Sequence, residues 1–333
     1  MEKRRKANSV DVAKLAGVSQ ASVSRAFSAN GSISAAKKEK ILAAAKQLGY
    51  VPNEMARALI SSHSNCIAVI QPISHNPQFY SKLLLELLEL LRAANQRVVL
   101  FNQDEKGVDD ILPLIDQYQV DGVILASANI DAKLINQYVN RGIEFSFINR
   151  HVPNVYASSV CTDNKQAASD LVAYLAKQGH QRFACFTGDK SASTAIDRVT
   201  GYKETLNQLE LSSLTIEYGE FTVESGYQQM LNYINTHEQM PDAIVCGNDE
   251  IAIGVMNALK EHTQLRVPED IAITGFDDID SASWPPYSLT TVKQPIKALC
   301  ERAVSDLLHR IRNQDTNPIT ENLAGEMVVR NSA

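Results

Sequence analysis

Cysteine is sparse and poorly placed for chemistry: Cys66, Cys161, Cys185, Cys246 and Cys300 are odd in number, far apart and mostly set in apolar runs. No C-x-x-C pair occurs, so the pattern argues against zinc and dithiol redox work, and all five are expected to be reduced and mostly buried. The seven histidines are scattered, with no i, i+4 pair on a helix, so no metal site is expected. Also missing are a G-x-G-x-x-G after the first strand, a Walker lysine motif and a G-x-S-x-G elbow, which argues against nucleotide-dependent and hydrolytic enzymes and implies no cofactor. No apolar run approaches the roughly 20 residues of a membrane span. The basic start, Met1 to Asn8, runs into Asp11 and Lys14 without an apolar stretch for a secretory leader, so a cytoplasmic protein is expected.

What is present is an ordinary folding composition, 333 residues with 44% hydrophobic and 21% charged content, enough for two or three domains with buried cores. The charge is divided unevenly. Residues 1–62 carry eleven Lys and Arg against four Asp and Glu, a balance of +7, which leaves −13 for the rest of a chain whose total is −6. A small cationic module fused to a large acidic one is the electrostatic footprint of a DNA-reading protein. The acidity of the remainder identifies no partner.

Punctuation in the basic segment predicts three helices. Asn8 with Asp11 three residues on makes a capping box, Val12, Ala13 and Ala16 share a face, and Gly17 stops the helix. Ser19 caps a second helix whose Val23, Ala26 and Phe27 point inward while Gln20, Ala21, Ser22 and Arg25 point outward. The tight join is a helix-turn-helix. A third helix starts near Ser34 and runs to Gly49, with Ile41, Leu42, Ala45 and Leu48 as its apolar face. The polar face of the second helix suits a major groove: Arg25 can donate two parallel hydrogen bonds to guanine, Gln20 suits base contact, and Ser19 and Ser24 suit phosphate positioning or capping alone.

Val10-Asp11-Val12-Ala13-Lys14-Leu15-Ala16-Gly17-Val18-Ser19 followed by Ala21-Ser22-Val23-Ser24-Arg25 resembles the signature of the lactose-repressor and purine-repressor (LacI/GalR) family. The likeness continues through Leu48-Gly49-Tyr50-Val51-Pro52-Asn53 and Met55-Ala56-Arg57-Ala58-Leu59, which is similar to that family's hinge helix. It implies DNA contact by Ser19, Gln20, Ala21, Ser22, Ser24, Arg25, Tyr50, Asn53, Arg57 and Leu59, with Gln20, Ala21 and Arg25 reading bases and Leu59 wedging into the minor groove. Ala21 can touch only a thymine methyl, so it should read less than a longer side chain would. Residues 53–60 are too few for a stable isolated helix, which needs roughly 12–15, so this segment is expected to fold on docking.

From Cys66 onward, apolar runs alternate with helical stretches. Ile67–Ile70, Val98–Phe101, Val123–Leu125, Phe145–Ile148, Phe183–Phe186, Ile244–Cys246 and Ile271–Ile273 read as strands of parallel sheets covered on both faces, a doubly wound α/β core best split into two lobes. Polar residues cluster after these strands, at Asn149-Arg150, Gly247-Asn248-Asp249 and Gly275-Phe276-Asp277-Asp278, where such folds bind ligands.

The family resemblance spans essentially the whole chain, including Asp197-Arg198-Val199-Thr200-Gly201-Tyr202, Asn248-Asp249-Glu250 and Leu289-Thr290-Thr291-Val292-Lys293-Gln294-Pro295. It implies a helix-turn-helix domain over 1–52, a hinge over 53–62, and a periplasmic-binding-protein-like core over 63–333. Three crossovers would join lobe one, about 63–160 and 292–318, to lobe two, about 161–291 and 319–333.

Matched by position, the effector cleft should use Phe79, Tyr80, Asn149, Arg198, Phe221, Asn248 and Asp277. That set suits a polyol: Asp277 accepts hydroxyl hydrogens, Arg198 donates in a planar fork, Asn248 does both, and the aromatic rings can wall a sugar's C–H face. The plainer readings are core packing for the aromatics and an internal ion pair for Arg198 with Asp277. Asn149 stands where relatives often carry an acid, and Arg150 follows it, a departure that admits an acidic or phosphorylated sugar. Trp284-Pro285-Pro286 lines either the cleft rim or packed structure.

The sequence reading is therefore a homodimeric repressor on a pseudo-palindromic operator, controlled by a carbohydrate-like effector, and not an enzyme. The alternative is a two-lobed binding protein or enzyme with an accessory basic domain. Only Asn331-Ser332-Ala333 follow Arg330, which leaves no heptad tail and makes a dimer the expected assembly.

Overall fold

The computed structural model describes residues 6–27, 32–51, 64–72, 76–103, 110–126, 132–211, 213–313 and 317–333, and divides into Met1–Ser64 and Asn65–Ala333. In the smaller unit, α1 (Ser9–Ala16), α2 (Gln20–Phe27) and α3 (Ala35–Leu48) form in the predicted order. Asn8 and Asp11 make the reciprocal capping box, and Gly17 and Gly49 close α1 and α3 in the left-handed conformation that glycine adopts without a Cβ penalty. Helices as short as α1 and α2 are held by packing rather than propensity. Their shared core is Val12, Ala13, Val23, Ala26, Ile41, Ala44 and Ala45, with Phe27 edge-on to Tyr50. One part of the predicted face is corrected: Leu42 and Leu48 are exposed, and Ala44 takes the inward position, because its small side chain lets α3 lie close.

The larger unit contains two parallel sheets. The first is built from β1 (Cys66–Pro72), β2 (Arg97–Gln103), β3 (Gly122–Leu125), β4 (Glu144–Ile148), β5 (Ser158–Thr162) and β11 (Thr320–Leu323), in the order β11-β5-β4-β3-β1-β2. The second holds β6 (Arg182–Thr187), β7 (Ser213–Tyr218), β8 (Ala243–Cys246) and β9 (Ala272–Thr274), in the order β7-β6-β8-β9. Helices cover them: α4 (Pro77–Ala93), α5 (Leu112–Tyr118), α6 (Ala132–Val139) and α11 (Ile296–Arg312) with the first, and α7 (Asn164–Lys177), α8 (Ser193–Gln208), α9 (Val223–Thr236) and α10 (Asp249–His262) with the second. β10 (Thr291–Lys293) and β12 (Glu326–Val328) pair antiparallel where the chain passes between the lobes.

All seven strands read from apolar runs are present; six have buried runs, and β2, at the edge of the first sheet, keeps its run half-buried with Leu100 exposed. β5 has no such run, yet all five of its residues are buried, the polar ones by partnering: Ser158 Oγ donates to Asp306 at 2.5 Å, and Thr162 Oγ1 donates to Gln294 at 2.6 Å. The sequence-based assignment of 319–333 to lobe two is corrected at β11. Thr320–Leu323 pair with Ser159–Thr162 at the edge of the first sheet, and only beyond them does the tail return, where Ile273 N–H donates to the Ser332 carbonyl. All five cysteines are buried and unbridged, and no helix among the described residues is long and apolar enough to cross a membrane.

Candidate functional site

The DNA-facing candidates lie on α2 and the turn before it. Ser19, Gln20, Ala21, Ser24 and Arg25 are exposed and Ser22 is half-buried, while Val23 and Ala26 hold the opposite face in the core. Ser19 Oγ accepts from the Ser22 amide at 3.2 Å, the cap expected of it. Gln20 Nε2 donates to Ser9 Oγ at 2.9 Å, so its amide is oriented by α1. Arg25 Nε donates to the Ala21 carbonyl at 3.4 Å, a long bond that leaves the two Nη groups at the end of an exposed side chain. Tyr50 is half-buried against Phe27, so its ring belongs partly to the small core. Asn53, Arg57 and Leu59 lie outside the described residues.

In the larger unit, the strand ends bring together all seven residues chosen for the cleft. Phe79, Tyr80, Asn149, Arg198, Phe221, Asn248 and Asp277 line one cavity with Asn76, Arg150 and Thr194. Each sits just beyond a strand's C-terminal end or in the first turns of the helix that follows, and the two sheets point those ends at one another. Asn76, Asn149 and Asp277 all have positive φ, at 58°, 56° and 116°, a conformation that side chains resist and that bends the chain sharply out of each strand. Thr194 and Arg198 lie four residues apart on α8 and therefore share a face.

The charged centre is Arg198 with Asp277, both buried, whose Nη2 and Oδ1 stand 3.8 Å apart. The internal ion pair thus consists of two of the residues that the family resemblance implies for the ligand. Asp277 also accepts from Gln294 Nε2 at 2.6 Å and from Asn76 Nδ2. Burial pushes its carboxyl above the usual carboxylate range, against the pull of Arg198, Gln294 and Asn76. Arg198 donates from Nε to Asn164 at 2.8 Å and from Nη1 to the Gly247 carbonyl, and its guanidinium stacks 3.5 Å above the Phe276 ring centre. Asn248 caps α10 by accepting from the Ile251 amide at 2.9 Å and donates from Nδ2 to the Phe221 carbonyl at 3.3 Å.

Sequence reasoning missed Asn76, Thr194 and Gly188. Asn76 precedes Pro77, the pattern of a helix N-cap, and that pairing was its available signal. Gly188 has no side chain because the Phe221 ring occupies the space a Cβ would need. Trp284, by contrast, is half-exposed and does not line the cavity. A separate groove of about 790 Å³, between α4, α11 and the Asp277–Ser283 segment, is flanked by mixed charges and shares only Asp277 with the cleft.

The cleft cavity measures about 30 Å³, the room of roughly one water molecule. It is drawn together by bonds between lobes: Arg150 Nη1 donates to Thr194 Oγ1 at 2.6 Å, the His151 amide to Ser193 Oγ at 3.0 Å, and Gln78 Nε2 to Ser281 Oγ at 3.1 Å. Nucleophile, base and oxyanion donors are not assembled here. The arrangement suits binding rather than chemistry, with donors, acceptors and aromatic rings lining one cavity.

Comparison with known proteins agrees with both units. The profile of the lacI family of bacterial regulatory proteins matches residues 10–53, and that of the periplasmic binding protein-like domain matches residues 172–333. The chain is 33% identical to the ribose operon repressor of Escherichia coli (strain K12) over 318 residues, covering 90% of this chain and 92% of that protein. It is 31% identical to the probable HTH-type transcriptional repressor ExuR of Bacillus subtilis (strain 168), covering 97% of each. A lac repressor dimer bound to operator and the anti-inducer ONPF superposes with a TM-score of 0.85 at 26% identity, over 98% of this chain and 99% of that one. A helix-turn-helix head, a two-lobed binding core and full-length relatives that are repressors lead to one assignment: this chain belongs to the lacI family of bacterial regulatory proteins, and is an effector-controlled regulator of transcription rather than an enzyme.

Proposed function

We propose that the protein is a cytoplasmic repressor that grips a two-fold operator as a homodimer, and that a small hydroxylated molecule bound between the lobes sets its operator affinity. The observation that carries this reading is the convergence of Arg198, Asn248 and Asp277 with Phe79, Tyr80 and Phe221 on one cavity. These groups supply a fork of donors, a buried acceptor and rings for C–H faces, the complement of a polyol. Likeness to a dimer bound to operator supports the assembly and the DNA partner, and likeness to a ribose operon repressor supports a sugar-like ligand.

A cavity of about 30 Å³ holds no sugar, so the ligand must favour a wider arrangement of the lobes or of the side chains between them. It shifts operator affinity only by its preference between arrangements. At the DNA end, Gln20, Ala21 and Arg25 read bases, Ser19, Ser22, Ser24, Tyr50, Asn53 and Arg57 position the backbone, and Leu59 wedges the minor groove. The domain division at about residues 52 and 62 belongs to this proposal. The test is a thermal-shift screen of the full chain with sugars, sugar acids, sugar phosphates and nucleosides, followed by operator binding with each hit. Hits that raise the melting temperature and change operator affinity support the proposal, and hits that leave operator affinity untouched refute the coupling.

A further inference from the structure

Charge in the cleft is not balanced. Its lining holds two guanidinium groups, Arg150 and Arg198, and one carboxylate, Asp277. Arg198 has a paired carboxylate, Asp277, beside its bonds to Asn164 and the Gly247 carbonyl. Arg150 has none. It is 8% exposed; its Nη1 meets Thr194 Oγ1 at 2.6 Å and its Nη2 meets the Tyr80 hydroxyl at 3.3 Å, both neutral, and its buried Nε has no partner. Among the described residues no carboxylate pairs with it within 4 Å, and the Phe221 ring lies 6.0 Å from its Cζ. Asp249 and Glu250 behind the cleft do not line it, and burial pushes both carboxyls toward their neutral forms. Arg150 shares the one cleft carboxylate, Asp277, with Arg198, which stands nearer to it; a buried cation without a counterion of its own is costly, so the site is built for something that supplies one.

The neighbouring residue completes the pattern. Asn149 Oδ1 is buried and also lacks a partner, an acceptor waiting for a hydroxyl hydrogen. We propose that the effector is a hydroxylated carboxylate of monosaccharide size, its carboxylate on Arg150 and a hydroxyl on Asn149. This rests on reading the cleft as the effector site. A neutral sugar would satisfy Asn149 and leave Arg150 uncompensated. A phosphate monoester, at about −1.5 to −2, exceeds the single excess charge, whereas a planar carboxylate matches both the charge and the guanidinium fork.

The experiment titrates the full chain with matched pairs, D-galacturonate against D-galactose and D-gluconate against D-glucitol, with glucose 6-phosphate alongside. At least one acid is expected to bind 100-fold or more tightly than its neutral partner, and Arg150→Gln to reduce that advantage below threefold. Preference for a neutral sugar or the phosphate, or binding of no acid, overturns the proposal. Asp277→Ala separates the two levels. If a neutral sugar binds and Asp277→Ala abolishes it, the cleft stands and only the charge assignment falls. If an acid binds indifferently to both substitutions, the ligand sits elsewhere and the effector-site reading falls with it.

Discussion

Asn76 and Asp277, 201 residues apart in the chain, share a direct hydrogen bond across the cleft, donated by the Asn76 amide to the Asp277 carboxylate. Both have positive φ, so each lobe spends backbone strain to aim one polar group at the other. The contact makes Asp277, the acceptor proposed for the effector, part of the bond set holding the lobes together.

Asp277→Ala is therefore expected to abolish the effector response while operator binding persists. Operator titrations with and without saturating ligand check this, and a ligand-dependent shift surviving in the variant would remove Asp277 from the site.

Gly188→Ala drives a Cβ into the Phe221 ring. The ring must swing away from the cavity, and we expect effector Kd to rise roughly tenfold, about 1.4 kcal/mol, with little change in operator affinity. Calorimetric titration of the variant gives the answer, and wild-type affinity would place Phe221 outside the ligand's reach.

Glu250 carries a pH signature. Burial, and then the charge of Asp277, pushes its carboxyl up to about 7, above the ordinary carboxylate value. The folded state then holds a proton that the unfolded chain releases near pH 4.5, so this group subtracts stability as pH rises from about 4.5 to 7 and no further above that. Glu250→Gln should raise the melting temperature at pH 8 and leave it near wild type at pH 4.5. Equal shifts at both pH values would show that Glu250 titrates normally.

Much of this molecule is legible in its sequence, and the reason is local. Asn8, Asp11 and Gly17 are capping residues whose effect spans a few positions, and strands buried on both faces announce themselves as apolar runs. β5 was hidden because Ser158, Ser159 and Thr162 look like loop residues until Asp306, the Arg150 carbonyl and Gln294 are seen to satisfy them. β11 was misassigned to the second lobe because edge pairing with β5 leaves no apolar signature in Thr320–Leu323. At the cleft, residue types and family likeness pick seven side chains that the fold brings to one cavity. The bonds from Arg150 to Thr194 and from Asn76 to Asp277 are relations between distant segments, which no window of sequence contains.

At the other end of the chain, Arg25→Ala should relax sequence choice at one base pair per half-site at a cost of about 1–3 kcal/mol, while binding to unrelated DNA falls only slightly. Selection from random duplexes with wild-type and variant protein reads this directly. Identical consensus sequences would assign Arg25 to the phosphate backbone.

The most direct test of the whole account is fluorescence anisotropy of the full chain with genomic duplexes across a salt series, with and without the ligand found by thermal shift. One duplex should bind at least 10³-fold more tightly than the rest, its log affinity should fall linearly with log salt, and ligand should change that affinity alone. Equal affinity for every duplex, unmoved by ligand, would contradict a sequence-reading, effector-controlled regulator.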